Sequence, residues 1–95
     1  MKNPSIAIIL ITLNEAHHLE RFFKNTQGWA NEIFVVDSYS KDKTIDICIK
    51  NNIHVVQRAF TGFGDQWNFA LNTFDIKSDW VMKMDPDELL SKELK

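Results

Sequence analysis

Four short apolar runs alternate with helix-like segments along this chain, and that alternation limits the folds open to it. The runs are "SIAIILIT", "EIFVVD", "IHVVQR" and "DWVMKM". The first is continuously apolar rather than alternating, which is typical of a central parallel strand covered by helices on both faces. The segments between the runs are long enough for right-handed helical crossovers. We therefore predict the order βαβαβαβ, a mostly parallel sheet of four strands flanked by helices, which is half of a doubly wound α/β fold.

The segments between the runs carry apolar residues at helical spacing. Three inner helical faces are expected: Leu19, Phe22, Phe23 and Thr26; Ile45, Cys48 and Ile49; and Phe63, Trp67, Ala70, Leu71 and Phe74. Asn14 is expected to cap the first helix, with Glu15 in its first turn. Strand and helix therefore follow one another directly.

Composition narrows the class of protein. At 44% hydrophobic and 12% aromatic, the 95 residues supply one domain with enough apolar material for a core. A net charge of −2 creates no field that gathers polyanions, so nucleic acid is not expected as a partner. The single Cys48 cannot form an internal disulfide, and the longest apolar run is too short to cross a bilayer. These features indicate a cytoplasmic unit, at most peripheral to a membrane.

Polar residues gather where the predicted strands end. The groups are Thr12, Asn14 and Glu15 after the first strand; Asp37, Ser38 and Ser40 at the second; and Asp85, Asp87 and Glu88 after the fourth. In a doubly wound sheet, ligands bind beyond the carboxyl ends of the strands. We therefore expect the three groups to converge at one edge. Asp37 is the strongest candidate, because a carboxylate that ends an apolar strand has no obvious local structural role.

The stretch "DPDE" has two interpretations. In the first, Asp85 caps a helix, Pro86 is its first residue and Glu88 completes a capping box. In the second, Asp85 and Asp87 hold Mg²⁺ or Mn²⁺, because Pro86 favours extended backbone before it, and side chains two apart in an extended chain share a face. The position after a fourth parallel strand favours the cation.

Four sequence blocks together resemble the start of a family-2 glycosyltransferase with the GT-A fold. The blocks are "ILITLNEAHHLERFF", "EIFVVDSYSKDKTIDI", "FTGFGDQWNFAL" and "DWVMKMDPDE". They stand in the order and at the separations of that family and extend over residues 5–94. Among its members they are most similar to bacterial lipopolysaccharide-core glycosyltransferases, which carry a VVDSxSxDxT block and an LDxDE block. The resemblance implies that residues 1–95 form the Rossmann-like, nucleotide-sugar-binding half of a GT-A fold.

The resemblance also implies roles for the residues at the strand ends. Thr12 would lie beside the nucleobase of a nucleoside-diphosphate sugar, most commonly a UDP-sugar, and Asn14 and Glu15 would shape that wall. Asp37 would accept a hydrogen bond from N3–H of uracil. All of these residues are therefore candidates for substrate binding.

For the DPDE block, the resemblance implies contact with the ribose and the cation. Asp85 would face the ribose, and Asp87, with Asp85, would bind Mg²⁺ or Mn²⁺ bridging the diphosphate. The full enzyme would transfer a glycosyl group to a saccharide or lipid-linked acceptor of the cell envelope, at the inner face of the bacterial membrane. The acceptor-binding half and its general base are expected to be absent from the chain. We therefore expect the chain to be inactive by itself and to self-associate through exposed apolar surface.

Three positions depart from the family pattern. Tyr39 replaces a glycine, Trp67 stands where a basic residue is frequent, and Lys83 replaces an apolar or small residue. We expect Trp67 to be a core residue and Lys83 to face solvent. Two other functions stay open. One is a non-catalytic remnant or interaction module in which DPDE is only a helix cap. The other is a nucleotidyltransferase, which would need a glycine-rich loop that "ITLNEAHH" lacks.

Overall fold

The computed structural model of the protein describes residues 4–26 and 28–87. Its elements are β1 (Ile6–Thr12), α1 (Ala16–Thr26), β2 (Glu32–Asp37), α2 (Thr44–Lys50), β3 (His54–Gln57), α3 (Phe63–Thr73) and β4 (Trp80–Lys83). The four strands form one parallel sheet in the order β3-β2-β1-β4. The predicted βαβαβαβ order and Rossmann-like α/β class are therefore confirmed.

Strand β1 is an inner strand of the sheet, because it pairs with both β2 and β4. Ala7 pairs with Glu32 and Thr12 with Asp37, so β1 and β2 end at the same level. On its other side, β1 pairs with β4 up to Ile9. Residues 7–10 of β1 are fully buried, which is the physical reason for its continuously apolar sequence.

Helices cover both faces of the sheet. Because successive side chains of a strand point to opposite faces, the core divides into two clusters. One contains Ile8, Leu10, Leu19, Phe22, Phe23, Val35, Cys48 and Met84, and the other contains Ala7, Ile9, Phe34, Val36 and Ala70. Helices α1 and α2 thus pack on one face and α3 on the other. Burial, with the charge of Asp37 adding to it, raises the pKa of the Cys48 thiol to about 12, as expected for an unreactive core thiol.

The inner face of α1 is as predicted, since Leu19, Phe22, Phe23 and Thr26 are all buried. In α2 the predicted stripe is only partly correct. Cys48 is buried, but Ile49 is 62% exposed, and Thr44 takes a fully buried place. Ile47 packs against the core instead. A seven-residue helix is too short for apolar periodicity alone to define its orientation.

The inner face of α3 also differs from the prediction. Phe63 and Leu71 are 60% and 40% exposed, whereas Gln66 and Ala70 are fully buried. Trp67 packs partly buried against the core, as expected. The helix is therefore turned so that the polar amide of Gln66 faces the sheet. Hydrophobic periodicity instead places Gln66 on the solvent side of the helix.

Strand β4 is held in register at the amino edge of the sheet. Glu32 Oε1 accepts hydrogen bonds from the backbone N–H groups of Lys77 (3.0 Å) and Ser78 (2.8 Å). Asp79 Oδ2 accepts one from the backbone N–H of Ser5 (3.0 Å). These bonds fix where β4 begins and hence where the stretch that follows it lies.

In the part of the chain that the structure describes, β4 is an outer strand of the sheet. Its residues Trp80 and Val81 are 63% and 37% exposed. The expected exposed apolar surface is therefore present along this edge. Among the described residues, none of the helices has the length and apolar character needed to cross a membrane.

Candidate functional site

A buried carboxylate, Asp37, joins the ends of three strands. Its Oδ1 accepts hydrogen bonds from the hydroxyl groups of Thr12 (2.7 Å) and Ser40 (2.5 Å). Its Oδ2 accepts from the backbone N–H of Ser40 (2.8 Å) and from Nε2 of Gln57 (3.3 Å). Two carboxylate oxygens offer about four acceptor positions, so these hydrogen bonds fill the acceptor positions of Asp37.

Asp37 thus has a structural role that its sequence context did not reveal. It ties the end of β1 to the turn after β2 and to the end of β3, and it is fully buried. The expectation that it lacks a local structural role was wrong. Thr12, the first predicted ligand contact, is also buried and is held by Asp37.

The loops after β1 and β2 are hydrogen-bonded to each other. The backbone N–H of Asn14 donates to Ser40 Oγ (2.7 Å), and Asn14 Oδ1 accepts from the backbone N–H of Lys41 (2.8 Å). Asn14 and Tyr39 have φ angles of 54° and 59°, in the left-handed region that favours glycine. Tyr39 therefore adopts a backbone conformation that glycine usually occupies. Asn14 joins two loops and does not cap α1, which corrects its predicted role.

Asp42 takes the capping role at both helix starts. Its Oδ1 accepts from the backbone N–H of Thr44 (2.9 Å), the first residue of α2, and its Oδ2 accepts from that of Ala16 (3.1 Å), the first residue of α1. The backbone N–H of Glu15 donates to Thr44 Oγ1 (3.0 Å). Desolvation acts to raise the pKa of Asp42, but the hydrogen bonds from Thr44 and Ala16 outweigh it and leave that pKa below its ordinary value.

Replacing Asp42 with alanine is expected to lower the free energy of unfolding by about 1 kcal/mol at pH 7, because two helix starts lose an acceptor. The folded pKa is lowered, so the stabilisation is complete above the unfolded pKa of about 3.8 and is lost as the pH falls through the folded value. Urea denaturation at pH 7 and at pH 3 measures both effects. Asp46→Ala, which removes a charge from the first turn of α2, is the control. A loss equal to that of the control would contradict the capping role.

An apolar cavity of about 260 Å³ opens beside the strand ends. It is lined by Ile11, Thr12, Leu13, Glu15, Ser38, Phe60 and Phe63. The rings of Phe60 and Phe63 meet edge to face, with centroids 5.0 Å apart. Aromatic walls with a few convergent polar groups are typical of a small-molecule site. Two other cavities, of about 290 and 560 Å³, lie at the amino edge and along β3, and neither is lined by a predicted site residue.

The cavity contains two of the predicted substrate-binding residues, Thr12 and Glu15. Asn14 and Asp37 are not among its lining residues and support it through the loop and strand ends. Ser38, the residue after Asp37, lines the cavity directly. The predicted convergence of the β1 and β2 groups is therefore seen, with a different residue of the second group facing the cavity.

Behind the cavity, the buried amide of Gln66 connects α3 to the residues that follow β2 and β3. Its Nε2 donates to Ser38 Oγ and to the carbonyl oxygen of Arg58, both at 3.2 Å, and its Oε1 accepts from Arg58 Nη1 (2.7 Å). Arg58 also pairs with Asp65 (2.8 Å) and lies over the Phe69 ring, 4.8 Å from its centroid. Sequence reasoning missed Gln66 and Arg58, because polar residues in an amphipathic helix or after a strand are normally assigned to the surface.

The chain beyond β4 continues along β1 toward the same edge. Lys83 pairs with Ile9, and the backbone N–H of Met84 donates to the carbonyl oxygen of Ile9 (3.3 Å). Lys83 is exposed, as expected, and its Nζ lies 5.3 Å from the centroid of the Phe63 ring. Since Phe63 lines the cavity, this contact connects the end of β4 to the cavity rim.

Asp85 and Asp87 are exposed and flank the buried Pro86. Asp85 has no regular secondary structure, and Pro86 and Asp87 form a turn. Glu88, needed for the capping box, lies outside the described residues. Within the described ranges, no three His, Cys, Asp or Glu side chains are grouped as a metal site. Two exposed carboxylates fit a hard cation that takes its remaining ligands from water and substrate phosphates.

Sequence comparison identifies the family. The family model described as "Glycosyl transferase family 2" matches residues 7–95. An uncharacterized glycosyltransferase of Rickettsia bellii is 40% identical over 89 residues, which covers 94% of this chain and 30% of the relative. The prophage-derived glycosyltransferase SunS of Bacillus subtilis is 33% identical over 94 residues, which covers 97% of this chain and 22% of the relative. The chain thus spans less than a third of the length of these relatives.

Solved structures share the fold. Residues 1–349 of S. aureus TarS match with a TM-score of 0.77 at 26% identity, covering 94% of this chain and 29% of TarS. A second match is glucosyl-3-phosphoglycerate synthase from Mycobacterium tuberculosis in complex with Mn²⁺, UDP and glucosyl-3-phosphoglycerate. Its TM-score is 0.66 at 23% identity, and the match covers 88% of this chain and 34% of the synthase. TarS has also been crystallised in complex with UDP-GlcNAc. Since the family model covers nearly the whole described sheet and its crossovers, this chain belongs to glycosyl transferase family 2.

Proposed function

We propose that this chain binds a nucleoside-diphosphate sugar, a UDP-sugar in the first instance, together with a divalent cation, for glycosyl transfer. The observation that carries the proposal is the cavity at the carboxyl ends of β1 and β2, toward which the chain beyond β4 continues through Met84. The contact between Lys83 and Phe63 connects them. A nucleobase in the cavity would place its diphosphate on the side of the turn after β4.

The residues of the cavity have distinct roles in this proposal. The aromatic rings of Phe60 and Phe63 supply an apolar wall for a planar base. Thr12 and Glu15 line the cavity, and Asn14 holds the loop that carries Glu15. Direct contact between Asp37 and N3–H of uracil, which the family resemblance implies, would require Asp37 to give up one of its four internal hydrogen bonds.

Asp87, with Asp85, is proposed to hold Mg²⁺ or Mn²⁺, and Asp85 is proposed to lie on the ribose side. The complex of the mycobacterial synthase with Mn²⁺ and UDP supports a divalent metal in this fold. When bound, such a cation offsets the negative charge that develops on the departing nucleoside diphosphate. Lys83 lies two residues before Asp85 and adds a positive charge to the same region.

The acceptor proposed for the whole protein is a saccharide or lipid-linked saccharide of the cell envelope, in the manner of lipopolysaccharide-core enzymes, at the cytoplasmic face of the membrane. This part of the proposal rests on the resemblance of the sequence blocks to that group of enzymes. The chain spans less than a third of the length of its relatives, and by itself it is proposed to bind the donor without transferring sugar. The exposed Trp80 and Val81 on the β4 edge support its self-association.

Calorimetric titration with uridine diphosphate tests the proposed function. With Mn²⁺ present, saturable binding is expected, and chelation of the metal is expected to weaken it at least about tenfold, since one or two carboxylates and the phosphates share the ion. Adenosine diphosphate, which carries the same diphosphate on a larger purine base, is the control. Absence of any metal-dependent binding would favour the non-catalytic interaction module, in which DPDE is only a helix cap.

A further inference from the structure

The cation of Lys83 lies between the cavity and the turn that follows β4. Its Nζ is 5.3 Å from the centroid of the Phe63 ring, and Phe63 lines the cavity. Asp85 follows two residues later, and two residues of chain span at most about 7 Å. The ammonium group of Lys83 is therefore close both to the rim of the cavity and to the first carboxylate of the turn.

This ammonium group is available to a ligand. Lys83 is exposed, and the ion pairs between described residues are formed by Lys50, Arg58 and Lys77. The contact of Lys83 with Phe63 is a cation–π interaction at the protein surface, where such interactions are weak. A charge-assisted hydrogen bond from an ammonium group to a phosphate oxygen is stronger. A phosphate group beside the cavity is therefore expected to draw Lys83 away from the ring.

A positive charge matters at this position because the turn after β4 is acidic. Asp85 and Asp87 are exposed carboxylates, and they repel a negatively charged diphosphate unless a cation lies between the two. In the proposed function, the divalent cation supplies that charge when it is bound. Lys83 is part of the chain, so its charge remains in the same region when no metal is present.

We propose that Lys83 binds the diphosphate directly and keeps a nucleoside diphosphate bound when the divalent cation is absent. This inference rests on the proposed function, because it needs a nucleotide in the cavity. Without metal, uridine diphosphate would be held by the contacts of its base in the cavity and by Lys83, whereas uridine would be held by its base alone. The ratio of the two affinities therefore measures the contribution of Lys83.

Calorimetric titration with uridine diphosphate and with uridine, each after chelation of divalent metal, tests the proposal. The wild-type chain is expected to bind uridine diphosphate at least as tightly as uridine. Lys83→Met removes the charge and keeps an unbranched side chain, so it is expected to lower the ratio of the two affinities about threefold to tenfold, the range for one charge pair in a water-like surrounding. Lys83→Arg keeps the charge and should retain most of the ratio. Lys77→Met, at a side chain that is 78% exposed, is the matched control and should keep the wild-type ratio.

Salt gives a readout that a merely structural role of Lys83 would not change. Raising the ionic strength from about 0.05 M to about 0.5 M screens the attraction between exposed charges. The difference between the wild-type chain and Lys83→Met is therefore expected to shrink as salt is added. A difference of the same size at both salt concentrations would contradict direct binding of the diphosphate by the ammonium group.

The outcomes separate this inference from the proposed function. If the wild-type chain binds uridine diphosphate with Mn²⁺ but, after chelation, binds it more weakly than uridine or not at all, the inference is wrong. It is also wrong if Lys83→Met keeps the wild-type ratio, or if Lys83→Arg loses as much as Lys83→Met, since the charge would then not be responsible. If the wild-type chain binds uridine diphosphate neither with nor without Mn²⁺, the proposed function itself is overturned. Lys83 is exposed, so each variant is expected to fold, and its melting temperature verifies this.

Discussion

Replacing Asp37 with alanine is expected to lower the free energy of unfolding by roughly 3 kcal/mol, because the buried hydroxyl of Thr12 and the part-buried donors of Ser40 lose their acceptor at once. The hydroxyl of Thr12 is fully buried with Asp37, and the donors of Ser40 and Gln57 bond to the same carboxylate. For a domain of this size, the melting temperature should fall by roughly 12–24 °C. Urea denaturation followed by circular dichroism measures the change.

An exposed aspartate provides the control for this prediction. The side chain of Asp75 is 88% exposed and pairs with Lys77 at 3.7 Å, so Asp75→Ala is expected to change stability by less than about 0.5 kcal/mol. Asp37→Asn keeps the shape and one acceptor oxygen and should show an intermediate loss. If Asp37→Ala is as stable as the control, the hydrogen bonds of Asp37 do not hold the strand ends together.

The strands were predictable because each is one short apolar run, a signal that lies in the local sequence. The order along the chain then implies parallel pairing, since each crossover contains a helix. The orientation of α3 was not predictable in the same way. Gln66 is buried because its amide bonds to Ser38, 28 residues away, and to Arg58, 8 residues away. Apolar periodicity contains no information about such partners.

The same distinction explains which parts of the site could be predicted. The convergence of polar groups at one edge follows from parallel topology, and Thr12 and Glu15 do line the cavity. The role of Asp37 depends on partners 25 and 20 residues away, Thr12 and Gln57, which only the folded sheet brings together. Tyr39 shows a further limit, because its φ of 59° is imposed by the loop in spite of the residue's preference.

Replacing Asp87 with alanine is expected to remove the metal-dependent part of uridine diphosphate binding, a loss of at least about tenfold, since a direct ligand should matter no less than a supporting group. Because Asp87 is exposed, the free energy of unfolding should change by less than about 0.5 kcal/mol. Calorimetry with and without Mn²⁺ measures the first effect, and urea denaturation measures the second. Asp75→Ala again serves as the exposed control.

Asp85→Asn then separates the two interpretations of the DPDE stretch. Asparagine caps a helix about as well as aspartate, so a purely capping Asp85 would tolerate the change in both stability and binding. A neutral amide is a weaker ligand for a hard cation than a carboxylate, so a metal-binding Asp85 would keep its stability and lose affinity for uridine diphosphate only when Mn²⁺ is present. Loss of stability in Asp87→Ala with unchanged metal-dependent binding in both variants would leave the helix cap as the sole role of this stretch.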